Sequence, residues 1–176
     1  MTDLVGKTGS AQKTRSPRRR LGALLAATAI GLLGVLAVAG PAAAVTQADA
    51  QRQLQAAGIY AHSSGGCTTQ SNPTCTAYSG IRQATIDGAI TLKRASGCGL
   101  TITGGTEVGH AGGTYSHANG YKLDFSRTSC LTNWVHNTYA YIGVRGDGAA
   151  MYRAASGNVY ADEGNHWDVT YYSCGC

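Results

Sequence analysis

Beyond residue 44 the chain lacks any surplus of charge. The whole sequence carries 14 Lys and Arg against 9 Asp and Glu, a formal +5. Six of the basic residues (Lys7, Lys13, Arg15, Arg18, Arg19, Arg20) and one acid, Asp3, lie within residues 1–44, which leaves eight of each sign over residues 45–176. Nucleic-acid binding draws on a positive surplus that releases counterions from phosphates, so that partner class is excluded. Residues 1–44 also lack cysteine; all six cysteines follow. Residues 45–176 lack an internal repeat or a long low-complexity linker, which excludes repeat arrays and leaves one domain of ordinary size.

Residues 21–40 lack charge altogether and are rich in Leu, Ala, Ile and Val. Arg18-Arg19-Arg20 precede them and Pro41-Ala42-Ala43-Ala44 follows. A positive n-region, an apolar stretch and an Ala-x-Ala site have the form of a secretory signal peptide, with cleavage expected after Ala44. About 20 apolar residues can also span a bilayer, but Pro41 and the Ala-x-Ala triplet favour removal, so no membrane span is expected after processing. The arginine run fits a twin-arginine signal as well as a Sec signal. The expected destination is extracellular.

Export alters the reading of the cysteines, because six in an oxidising compartment point to disulfides before metal sites. Cys67 and Cys75 bracket a Ser/Thr/Asn/Pro loop, and Cys98 and Cys130 flank the segment richest in chemistry. Pairings 67–75 and 98–130 are therefore expected. Cys174 and Cys176 form a C-x-C tail whose state is left open.

Asp49 is placed to cap a helix running to about Ala57 and stopped by Gly58. Residues 75–95 read as a second, with Tyr78, Ile81, Thr85, Ala89 and Leu92 near a 3–4 spacing and Gly97 at its end. Leu100–Thr103, Tyr121–Ser126, Tyr141–Val144 and His166–Tyr172 read as strands, and residues 130–140 as a short helix. Without a regular β-α-β alternation, the expectation is α+β: helices on a small antiparallel sheet, disulfide-stabilised. Residues 45–97 would form the N-terminal helical part and 98–176 the sheet part of the same domain. Alternation puts Lys122 and Asp124 on one strand face, and His166 and Asp168 on one face of another. If the two strands are neighbours, Asp124 and His166 share the sheet's polar face.

Ser116-His117-Ala118-Asn119-Gly120-Tyr121-Lys122-Leu123-Asp124 has the form S-H-x-x-G-x-x-x-D, and Glu163-Gly164-Asn165-His166 is an E-x-x-H. Two imidazoles and a carboxylate make a three-ligand set for Zn²⁺ with a position left for water. Glu163, three residues before a ligand, is placed to act as general base and then acid. These residues resemble the zinc D-Ala-D-Ala carboxypeptidase family, the peptidase M15 type whose core is shared with the hedgehog signalling domain. The resemblance spans roughly residues 98–172. It implies His117, Asp124 and His166 as zinc ligands, Glu163 as the catalytic acid/base, and Gly120 as the glycine that turns the chain into the strand. It further implies a hedgehog/DD-peptidase-like fold and a peptide or peptidoglycan substrate; a monomer is expected.

The pattern also departs from that family. Ser116 adjoins His117 directly, Lys122 stands where alanine is common, and Thr103–Glu107 holds no arginine for the oxyanion. Arg82, His110 and Lys122 are the candidates to replace it, while Tyr115 and Ser116 are candidates to line the substrate cleft. As a ligand, His110 is discounted in favour of a solvated loop histidine. His62 and His136 are read as surface residues, and Trp167, Tyr171 and Tyr172 as sheet core. The leading function is a secreted zinc peptidase, either carboxypeptidase or stem-peptide endopeptidase. The alternative is a non-catalytic zinc-containing binding module of the same fold, and a metal-free structural protein ranks third.

Overall fold

Ten elements follow one another from Thr46 onward in the computed structural model, which describes residues 44–175. The leader expected over residues 1–44 lies, except for Ala44, outside them. Thr46 caps the first helix, α1 (Gln47–Ala56), its hydroxyl accepting from the Asp49 N–H at 3.1 Å. This satisfies one of the donors a helix start leaves open. After Gly58 the chain enters β1 (Ile59–Ala61), a strand too short for its alternation to stand out in the sequence. The next helix, α2, spans Gln83–Ser96, not residues 75–95. Residues 75–82 are committed elsewhere: Cys75 is disulfide-bonded, the Thr76 N–H bonds the Cys67 carbonyl, and Gly80 has φ +77°. Gly97, in the left-handed region, ends α2 as expected.

Strands β2 (Leu100–Gly104) and β3 (Lys122–Ser126) follow, then α3 (Ser129–Thr138) and β4 (Ala140–Val144). The last three strands are β5 (Ala150–Arg153), β6 (Val159–Asp162) and β7 (His166–Thr170). Together they form one seven-stranded sheet in the order β1-β2-β3-β7-β6-β5-β4. Every pairing is antiparallel except β1 with β2, which is parallel and joined through α2. The α+β expectation holds, with a larger sheet than the sequence suggested.

The apolar face of the sheet carries Leu123, Phe125, Trp167, Val169 and Tyr171, all fully buried against the helices. Trp167 Nε1 donates to Thr132 of α3 at 3.2 Å, and Gly88 of α2 sits where a β-carbon would strike the Tyr171 ring. Tyr172, by contrast, is about half exposed and is not core. The opposite face carries Lys122, Asp124, His166 and Asp168. Both expected disulfides are present, Cys67–Cys75 and Cys98–Cys130. Cys174 is also disulfide-bonded, and Cys176 lies outside the described residues. No helix among the described residues is long and apolar enough to cross a membrane. Disulfides and the lack of such a helix are compatible with an extracellular protein.

Candidate metal centre

β3 and β7 are direct neighbours, with Asp124 opposite Asp168 and Ser126 opposite His166. Because side chains alternate, Asp124, His166 and Asp168 all rise from the polar face. The segment between β2 and β3 folds back over them and delivers His117. Gly120 makes that return possible: its φ is +72°, and a β-carbon there would lie 2.6–2.9 Å from the backbone of Gly80, Ile81 and Arg82. Gly104, across from Asp124 in β2, leaves the space its carboxylate fills, since a β-carbon would sit 2.3 Å from Oδ2.

Each imidazole is oriented by a partner behind it. His117 is buried, and its Nδ1 donates to the Gly105 carbonyl at 2.7 Å, so Nε2 carries the lone pair. That Nε2 lies 3.3 Å from Asp124 Oδ1. His166 Nε2 lies 3.6 Å from the same oxygen, and its Nδ1 is 2.7 Å from Asn165 Oδ1. Donors at ordinary zinc bond lengths in a tetrahedron stand about 3.4 Å apart. Asp124 Oδ1 is also buried without a hydrogen-bond partner, which a carboxylate oxygen does not ordinarily tolerate. Two imidazole nitrogens beside an orphaned, buried carboxylate oxygen fit a divalent cation.

A second grouping shares two of these residues. His110, His117 and Asp124 each offer one ligand atom within 4.8 Å of the others, so this group can hold a metal ion. His110 is thus not a solvated loop histidine. Its Nε2 is 2.9 Å from Glu107 Oε1, and its ring stacks on His117 at 3.8 Å and 15°. The stacked ring of His110 also supports His117 from the side. Glu107 is buried, which opposes its charge. Hydrogen bonds from His110 and from the Ala77 and Gly105 N–H groups nevertheless hold its carboxyl below the usual range. The same Glu107 contact raises the His110 pKa.

The cavity over these residues, about 480 Å³, is lined by His110, His117, Lys122, Asp124, Arg145, Asp147, Glu163, His166 and Asp168 among others. Glu163 Oε2 lies 3.3 Å from His166 Nε2. Of the residues considered for substrate contact, His110 and Lys122 line the cavity. Arg82, Tyr115 and Ser116 do not. Arg82 stacks over the Tyr121 ring at 4.2 Å, Tyr115 packs edge-on against Tyr121 and Tyr172, and the buried Ser116 hydroxyl accepts from the Asn119 N–H. Lys122 is drawn to Asp168 Oδ2 at 2.6 Å.

Arg145 is one of the charged cavity residues that sequence spacing missed, Asp147 being another. Arg145 follows β4, and its guanidinium reaches Asp168 Oδ2 at 2.7 Å, Asp147 at 2.6 Å and the Glu163 carboxylate. The Arg145 guanidinium lowers the Asp147 carboxyl to about 2. Burial opposes the charge on Asp168, but Lys122 and Arg145 hold its carboxyl below the ordinary value. No local motif marks Arg145; only the β4–β5 pairing brings it over the site. No family model, curated protein or solved structure matches this chain.

Proposed function

We propose that this chain is an exported zinc peptidase of the D-Ala-D-Ala carboxypeptidase/hedgehog type, acting on peptidoglycan-type peptides. The observation that carries the reading is the placement of His117 Nε2 and His166 Nε2 at 3.3 and 3.6 Å from the unpartnered Asp124 Oδ1, with Glu163 beside His166. Those three residues would hold the ion. Zn²⁺ bound there would acidify a water molecule and polarise a carbonyl. Glu163, on the cavity wall, would take the proton from attacking water and return it to the departing amine. Arg145 fixes one Glu163 oxygen and so leaves the other turned toward His166. A peptide lying in the cavity would be oriented by Lys122 and His110 at its walls.

One observation favours the second reading, a zinc-containing binding module without turnover. Both Lys122 and Arg145, the two permanent cations at the cavity, are already paired with Asp168. Neither is an unengaged donor for an oxyanion.

Glu163→Gln separates the two. The amide keeps the shape but cannot accept water's proton at neutral pH. For a peptidase, zinc content should be unchanged while cleavage of a D-Ala-terminated or stem-peptide substrate falls about 10²–10⁴-fold. His117→Ala and Asp124→Ala should each lose the metal. Wild-type protein that binds zinc stoichiometrically but cleaves neither substrate would favour the binding module. A wild type that binds no metal would sink both readings.

A further inference from the structure

We infer that Asp168 is a donor to the same metal through Oδ1, an inference that rests on the metal-centre reading above. Asp168 is buried directly across from Asp124 on the neighbouring strand. Its Oδ2 takes Lys122 Nζ at 2.6 Å and Arg145 Nη1 at 2.7 Å, which fixes the carboxylate plane. Its Oδ1 is buried, has no hydrogen-bond partner, and lies 3.8 Å from His117 Nε2. Asp124 Oδ1, the other orphaned carboxylate oxygen of the site, flanks the same imidazole nitrogen at 3.3 Å.

Like charges directly opposite one another across two strands repel, and a buried oxygen without a partner forfeits its hydration. Lys122 and Arg145 answer the charge on Asp168, but both Oδ1 atoms of this cross-strand pair still bear the second cost. A divalent cation between the two Oδ1 atoms and the His117 nitrogen would give both oxygens a partner. Lys122 and Arg145 then serve to orient Asp168: by occupying Oδ2 they leave Oδ1 as its single free donor. His166 stands further out, its side chain 24 % exposed. Asp168 Oδ1 then adds to His117, Asp124 and His166 as a donor to the ion.

The test is zinc affinity by chelator competition, with the visible absorption of the Co²⁺-loaded protein as a second readout. Asp168→Ala should weaken zinc by more than the about 10–100-fold that loss of an outer-shell partner costs. Asp168→His supplies a donor but cannot pair with Lys122 or Arg145, and should recover most of that loss. Lys122→Met removes an orienting partner and keeps the oxygen, so its loss should stay within the outer-shell range. Asp168→Ala should also change the Co²⁺ bands. The inference is overturned if Asp168→Ala binds zinc within about threefold of wild type, or if Lys122→Met is as damaging as Asp168→Ala. Wild-type binding abolished by His117→Ala but indifferent to Asp168→Ala would leave the metal centre standing and remove Asp168 from it. A wild type without metal would instead overturn the reading beneath.

Discussion

At the residue scale, the site depends as much on side chains that are missing as on those that act. Gly104 and Gly120 have no chemistry, yet Asp124 occupies the space of one absent β-carbon and the backbone of residues 80–82 that of the other. Gly104→Ala should keep the fold, since β2 is extended there, but displace the Asp124 carboxylate and weaken metal binding. Gly120→Ala faces both a positive φ and fixed backbone, so it should destabilise the whole protein by about 1–3 kcal/mol. Urea unfolding with chelator present, alongside zinc titration, tells the two apart. A Gly120→Ala protein as stable as wild type would show that the return into β3 is not held by that close approach. Gly120 was legible in the sequence through its place between His117 and Asp124. Gly104 was not, because the need for it arises from the cross-strand partner and leaves no local mark. Asp168 was visible on the polar face by alternation, but its buried, unpartnered oxygen is a property of packing alone.

At the scale of elements, alternation revealed the strands that build the site, and failed where segments are short or tied by long-range bonds. β3 and β7 read correctly because each alternates apolar and polar residues over five positions. β5 and β6 did not, and with them went Arg145. Residues 75–82 mimic a helix in spacing, but the Cys67–Cys75 loop and its backbone bonds win. That loop also braces the turn carrying His110: Gln70 Nε2 donates to the Thr106 carbonyl at 3.2 Å, and the Val108 N–H donates to the Gln70 carbonyl at 2.9 Å. The two disulfides should therefore differ in effect. Cys98–Cys130 links residues 32 apart, and its removal as Cys98→Ser/Cys130→Ser should cost about 3–4 kcal/mol by loop-closure entropy. Cys67–Cys75 closes only 8 residues, so Cys67→Ser/Cys75→Ser should cost about 2.5 kcal/mol but weaken zinc binding through the His110 turn. Denaturant unfolding and metal titration of both double variants check this. Equal stability losses with equal zinc affinities would contradict the division of labour.

For the whole molecule, the site couples metal to fold. The expected antiparallel sheet places two carboxylates side by side in the interior, and the only ion-pair partners of Asp124 among the described residues are histidines. In the metal-free protein the buried, unpartnered Asp124 Oδ1 opposes folding, and a bound dication offsets that cost. A ligand that binds only the folded state at a hundred times its dissociation constant adds about 2.7 kcal/mol. For a domain of this size that corresponds to a rise in melting temperature of roughly 10 °C. Chelator should reverse the rise. Asp124→Asn provides the opposite signature, because it removes one of the facing charges together with a donor. In chelator it should be as stable as wild type or up to about 1 kcal/mol more stable, and zinc should leave its melting temperature unchanged. Thermal unfolding of both proteins, with zinc and with chelator, gives four values. If wild type gains nothing from zinc, the pair of carboxylates is not built around a cation. If Asp124→Asn gains as much as wild type, the ion is held elsewhere in the molecule, and the face shared by β3 and β7 is not the site.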